Sequence, residues 1–213
     1  MERKSSHSEL VDSIVEIYCR KDEVTHRTGY GVIIRTGDKP HVLTASHVLE
    51  EDEEGEVWDA VHPEVAQDFG FHSAARMLWK GGGRGLRRSE ENDLVLMPLA
   101  ESAGIAIDVV TIADLLTPAF IACIAYVPKD DYLVKRLDAM AGLIEQEDSR
   151  GYRLSCEGRE GMSGAPVFVR DRDSGDYRLL GIYTGTPRTT PLTRANIEKH
   201  AFATKIGEFL RGA

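Results

Sequence analysis

Apolar positions in this chain come in short runs rich in Val, Ile, Leu and Tyr, and turn residues punctuate them at roughly ten-to-fifteen-residue intervals. That rhythm predicts strands rather than helices. The clearest candidates are 13–20, 29–35, 41–44, 93–98, 119–127, 151–156, 166–170, 177–184 and 200–204, with weaker ones at 57–61, 76–79 and 133–144. Arg35-Thr36-Gly37-Asp38 and Asp173-Ser174-Gly175-Asp176 read as hairpin ends. Near the C-terminus, Ile206, Phe209 and Leu210 fall on one helical face, so 205–211 is expected to be a short closing helix. Small residues over 101–108 mark a bridge between two halves of about six strands each. The expected fold class is therefore all-β: two six-stranded antiparallel β-barrels, at about 10–105 and 110–204, in one 213-residue domain.

Composition narrows the setting. The hydrophobic content of 42% and charged content of 29% suit a water-soluble globular fold. A net charge of −9 disfavours nucleic acid as a general partner, because the phosphate backbone would be repelled. Cys19, Cys123 and Cys156 are odd in number and form no CxxC spacing, so free thiols in a reducing compartment are expected. The N-terminal residues contain no apolar signal core, and no stretch reaches the length of a membrane span. A cytoplasmic location without a membrane partner is the simplest expectation. The acidic run Glu50-Glu51-Asp52-Glu53-Glu54-Gly55-Glu56 lacks the alternating oxygen ligands of a calcium loop and reads as solvated surface. Gly81-Gly82-Gly83-Arg84-Gly85 lacks the Gly-Lys-Ser/Thr ending of a phosphate cradle and reads as a loop. No metal and no cofactor are expected.

The chemistry lies at strand ends. His47 ends the apolar run His41–Ala45 within Thr44-Ala45-Ser46-His47, Asp93 heads Leu94-Val95-Leu96, and Ser163 sits in Gly161-Met162-Ser163-Gly164-Ala165-Pro166. Serine attack requires a base for the hydroxyl proton, a group that orients the base, and donors for the oxyanion. Ser163 is the candidate nucleophile, His47 the base and Asp93 the orienting group. The order His, Asp, Ser is one of the known orders of that triad. The N–H groups of Gly161 and Ser163 are the candidate oxyanion hole, since a glycine presents its N–H unobstructed. Alone, each residue also has a structural reading as a strand-end, cap or turn residue; their joint placement favours the triad.

These segments, with Gly181-Ile182-Tyr183-Thr184-Gly185, resemble the trypsin-like (chymotrypsin-fold) serine peptidases over nearly the whole chain. The resemblance implies two six-stranded barrels with the triad in the cleft between them, and a protein or peptide substrate. It also implies that Tyr183, Thr184, Gly185 and Thr186 line the specificity pocket and pair with an extended substrate strand. Two departures stand out. Val48 replaces the cysteine that follows the histidine in secreted digestive members, and Met162 replaces the acid that precedes their serine. That acid pairs with an N-terminus freed by zymogen cleavage, and Met162 cannot hold an ammonium. The pattern is closer to bacterial HtrA-like and intracellular members. Control by a partner or ligand is therefore expected in place of zymogen cleavage.

Specificity is open at this level. Glu157 matches the position where an acid selects Lys or Arg in trypsin, or it is a loop carboxylate that Arg159 neutralises. An active serine endopeptidase is the leading reading. A catalytically silent protease-fold module that binds peptides or scaffolds a partner is the alternative, and an esterase using the same serine is a third.

Overall fold

The computed structural model describes residues 7–21, 24–37, 39–49, 62–67, 76–80, 86–99, 107, 109, 116–129, 132–185 and 200–211. Of the sequence expectations, the strand at 57–61, the acidic run, the glycine-rich loop, most of the 101–108 bridge and Thr186 fall outside these residues.

The chain opens with a short helix, α1 (His7–Ser13), where the sequence suggested only a strand starting at 13. Ser13 Oγ donates to the Leu10 carbonyl at 2.8 Å, so a hydroxyl caps the last turn and releases the chain into a strand. Seven antiparallel strands then build the first sheet: β1 (Ile14–Lys21), β2 (Val24–Thr36), β3 (Lys39–Ala45), β4 (His62–Gln67), β5 (Arg76–Lys80), β6 (Arg87–Ser89) and β7 (Leu94–Pro98). Their spatial order is β5-β4-β1-β2-β3-β7-β6. Six more form a closed barrel, β10-β13-β12-β11-β8-β9, from β8 (Pro118–Lys129), β9 (Tyr132–Glu147), β10 (Gly151–Leu154), β11 (Pro166–Arg170), β12 (Tyr177–Gly185) and β13 (Ala201–Lys205). The all-β, chymotrypsin-like architecture follows the short apolar runs read from the sequence; the second half is the six-stranded barrel expected, whereas the described strands of the first half form a seven-stranded sheet, the short β6 being a strand that the sequence did not suggest. One of the weaker sequence candidates, 133–144, is part of the longest strand, β9.

The core of the barrel is aromatic and aliphatic. Tyr152, Phe168, Ile121 and Ile144 are fully buried, and burying a side chain of this size stabilises by about 1.5–3 kcal/mol. The closing helix α2 (Gly207–Arg211) buries Phe209, whose ring lies 4.9 Å beneath the Arg87 guanidinium of β6. The C-terminus thereby returns to the first sheet. Part of the predicted bridge is also visible: Ile107 pairs with Ile34 of β2, and Val109 pairs with Leu179 of β12. The linking segment is thus stitched to both halves.

At the serine turn, the halves meet main chain to main chain. The Tyr30 N–H of β2 donates to the Ser163 carbonyl at 2.8 Å. A Cβ on Gly164 would collide with the Tyr30 carbonyl and Thr44 Oγ1, and Gly164 has φ +79°. A Cβ on Gly29 would meet the Ser163 carbonyl and, at 2.8 Å, a Val48 methyl. Glycine is required at both faces of the junction, for steric reasons at Gly29 and for both steric and conformational reasons at Gly164. Gly164→Ala is therefore expected to cost about 3–5 kcal/mol, because strain and a backbone collision add. Gly37→Ala, at φ +60° in open space on a hairpin end, should cost only about 1–2 kcal/mol. Urea unfolding midpoints of the two variants measure the difference.

Candidate active site

His47 leaves β3 on a single 3-10 turn, Ser46–Leu49. Its neighbours Ser46, Val48 and Leu49 are buried, so the turn is anchored and the imidazole is the half-exposed member. Asp93 lies at the start of β7 with φ +52°, a left-handed conformation that aspartate tolerates better than most residues. That conformation turns the Asp93 carbonyl to accept the Ser46 N–H at 3.0 Å. It also turns the carboxylate onto His47 twice. Oδ1 accepts the His47 backbone N–H at 3.0 Å, and Oδ2 lies 2.6 Å from Nδ1. One carboxylate therefore fixes both the main chain and the ring of the histidine. With Nδ1–H donated to Asp93, Nε2 is left as the basic nitrogen.

Ser163 sits at the crest of a tight turn. Ala165 N–H donates to the Met162 carbonyl at 2.9 Å, and Met162 N–H donates to the Arg159 carbonyl at 3.3 Å. Glycines in the left-handed region, Gly161 at φ +78° and Gly164 at φ +79°, bracket Met162 and Ser163. The turn is pinned to the barrel by Gly164 N–H to the Tyr183 carbonyl at 2.9 Å and Tyr183 N–H to the Ala165 carbonyl at 2.8 Å. It is pinned to the first sheet by the Tyr30–Ser163 bond. The space a Cβ on Gly29 would take is bounded by both the Ser163 carbonyl and Val48, so the serine main chain and the histidine turn meet beside the same glycine. Met162 is buried, 6% exposed, and fills with a thioether the place that the resemblance gives to an acid.

The remaining sequence candidates divide. Tyr183 is buried, and its hydroxyl presses on Gly158, where a Cβ would collide with it. Both Tyr183 main-chain groups are used by Gly164 and Ala165, so they are not available to an added strand. Thr184 sits at a register irregularity between β12 and β13, and its hydroxyl lies 2.8 Å from that of Thr204. Gly185 has φ +84° with open space around its α-carbon. Glu157 is exposed on the turn after β10. Arg159, which the sequence offered as its neutralising partner, instead pairs with Asp138 of β9 at 3.4 Å. The charges meet across strands rather than within the turn.

A polar cluster that the sequence did not suggest backs this site. Glu16, 8% exposed, accepts from Tyr126 Oη at 2.8 Å, Tyr18 Oη at 3.2 Å and Arg27 Nη1 at 3.3 Å. Arg27 also donates to the Tyr30 hydroxyl, which donates to the Ile124 carbonyl at 3.2 Å. Cys123 and Cys156 are free thiols. Burial pushes the Cys123 thiol up to about 12, with Asp138 adding to the rise. Among the described residues, no group of His, Cys, Asp and Glu side chains is placed to hold a metal, and no helix is long and apolar enough to cross a membrane.

Residues 29–182 match the trypsin-like peptidase domain family, more than half of the chain. The chain belongs to that family. It is a serine endopeptidase by this membership, on a fold shared with known proteases. The serine endoprotease from Yersinia pestis is similar at 17% identity and a TM-score of 0.62, over 99% of this chain and 66% of that one. Tobacco etch virus protease is similar in two structures. A mutant form gives a TM-score of 0.65 at 10% identity over 99% of this chain and 81% of that one. A catalytically inactive form with substrate gives 0.61 at 12% identity over 97% and 84%. No curated protein sequence matches the chain.

The buried cluster makes the peptidase sensitive to alkali. Burial, reinforced by Cys123, raises the Tyr30 hydroxyl from 10.0 to about 12, and Cys123 rises from 9.0 to about 12. Both groups are neutral when protonated and have folded pKa values above the unfolded ones. Their contribution is therefore complete below pH 9 and is lost as pH climbs towards 12. Urea midpoints should be level up to about pH 9 and fall from there to about pH 12, less steeply in Cys123→Ala. An equally steep fall in that variant would contradict the assignment.

Proposed function

We propose that this peptidase cleaves internal peptide bonds through a Ser163 acyl-enzyme, with His47 as the base, Asp93 as its orienting group, and the N–H groups of Gly161 and Ser163 as the oxyanion hole. The observation that carries the reading is the two-point hold of Asp93 on His47, at 2.6 Å to Nδ1 and 3.0 Å to the backbone N–H. A structural aspartate has no need of the ring nitrogen as well as the main chain. The left-handed glycines on either side of Met162–Ser163 support the serine's role, because they carry the turn through a conformation that exposes its crest.

In this scheme, His47 Nε2 takes the Ser163 hydroxyl proton as Oγ bonds to the substrate carbonyl carbon. The carbonyl electron pair moves onto oxygen, where the two N–H groups stabilise it. The imidazolium, steadied by Asp93, gives its proton to the leaving amine as the C–N bond breaks. Water then repeats the sequence on the ester, releasing the acid and restoring Ser163. The substrate is an extended peptide that adds beside the end of β12 that runs past its β11 partner, whose pairing stops at Ile182. Since Tyr183 is fully bonded, main-chain pairing starts at Thr184 and continues through Gly185 and Thr186. Glu157 contributes a preference for a basic residue before the cleaved bond. The enzyme works in the cytoplasm, without a metal or cofactor, and is switched by a protein partner or ligand, because Met162 offers no counter-ion for a freed N-terminus.

A fluorophosphonate probe tests the reading. Wild type should be labelled on Ser163, Ser163→Ala should not be labelled, and Asp93→Asn should react about ten-thousand-fold more slowly, because the wrong imidazole tautomer faces the serine. Absence of labelling in wild type, with or without cell lysate, would leave the peptide-binding scaffold as the better description.

A further inference from the structure

Met162 creates a mechanical problem for the proposed chemistry. Oxyanion donors act only if they are held in position before the reaction. Gly161, at φ +78°, has no side chain to restrict its backbone, and glycine populates positive and negative φ about equally readily. The residue beside it is an apolar plug. The bond from the Met162 N–H to the Arg159 carbonyl closes the turn over Gly161, and to this the buried thioether adds contact without a further directional bond.

Arg27 approaches Gly161 from the first sheet. Arg27 Nη2 lies 3.9 Å from where a Cβ on Gly161 would stand, and apart from the chain neighbours Glu160 and Met162 it is the one atom of the described residues within 4 Å of that point. The arginine is itself braced. Nη1 donates to Glu16 Oε1 at 3.3 Å and to the Tyr30 hydroxyl, and the guanidinium carbon stands 4.9 Å from the centre of the Tyr30 ring. Glu16 is fixed in turn by Tyr18 and by Tyr126, which comes from β8 of the barrel. The other end of the same guanidinium therefore points at the turn that carries the serine. Tyr30 joins the two ends, because its N–H holds Ser163 and its hydroxyl holds Arg27.

We propose that the Glu16–Arg27 pair is a strut that holds the Gly161 turn in its donor-presenting conformation, in the place of the acid–ammonium tie that Met162 precludes. Arg27 is a positioning residue that acts through Gly161. The strut crosses from the first sheet to the barrel, so its integrity depends on the packing of the two halves against each other. A partner or ligand that shifts Arg27 would switch the site without touching the triad. The catalytic part of this inference rests on the serine-peptidase reading above; the mechanical part does not.

Two measurements separate them. The first is amide hydrogen exchange across 157–165 in Arg27→Met, which keeps the length of the side chain and removes its charge and fork. Exchange there should rise at least several-fold relative to wild type while β11 and β12 are unchanged, whether or not the protein cleaves anything. The second is steady-state cleavage of a peptide substrate. Arg27→Met should lower kcat on the order of 100-fold with little change in KM, the penalty typical of small misplacement of a catalytic group. Arg27→Lys and Glu16→Gln should fall between, and methylguanidinium added at millimolar levels to Arg27→Ala should restore part of kcat. Arg153→Met, which removes a surface partner of Glu145, should change neither readout. Unchanged exchange over 157–165 in both Arg27→Met and Glu16→Gln would overturn the strut. Raised exchange in these variants of a protein whose wild type proves unable to cleave would retain the strut and discard the peptidase reading.

Discussion

The hydrogen bond from the Tyr30 N–H to the Ser163 carbonyl, 2.8 Å long, is the point on which the rest of the structure turns. It lets a strand of the first sheet and a turn of the barrel approach main chain to main chain. Side chains at either surface would hold them apart, and Gly29 and Gly164 are where the clash would occur. The consequence for chemistry is one of distance. His47 is one residue from Val48, and Val48 and Ser163 bound the space that a side chain on Gly29 would need, so the histidine turn and the serine turn meet in a single region rather than in two independent loops.

Rigidity is distributed unevenly around that contact. The histidine side is over-determined, with a buried 3-10 turn, two bonds from one carboxylate, and a bond from Ser46 to the Asp93 carbonyl. On the serine side, Gly164 and Ala165 are bonded to Tyr183, and the turn at Gly161 is closed by the bond from the Met162 N–H to the Arg159 carbonyl. Buried polar networks of the Glu16 kind are costly if any member loses its partner, and so tend to move as units. Their placement at the seam couples the order of the serine turn to the docking of the two halves.

Much of this was legible in the sequence, and the rest was hidden for physical reasons. Strands 166–170 and 177–184 were readable as short apolar runs bounded by turn residues, buried along most of their length, and the closing helix by the period of its apolar face. The strand β9 read weakly because Lys135, Arg136 and Asp138 interrupt its apolar positions, and one of them, Asp138, is used by Arg159 from another element. The helix α1 is too short for its periodicity to show. His47, Asp93 and Ser163 could be found because chemistry demands those residue types at strand ends. Glu16, Arg27 and Tyr126 could not, since their meaning comes from contacts between residues as far as 110 positions apart. The pairing of Gly29-Tyr30-Gly31 with the serine turn left a faint signal in its two glycines, which only the structure explains.

The most direct test is a crystal structure of the peptidase after reaction with a fluorophosphonate. Phosphorus is expected on Ser163 Oγ, with its free oxygen within hydrogen-bond reach of the Gly161 and Ser163 N–H groups, His47 still bonded to Asp93, and the Tyr30–Ser163 bond intact. Phosphorus on another residue, or an adduct whose oxygen is turned away from both N–H groups with Tyr30 still docked, would contradict the roles assigned to Ser163 and Gly161.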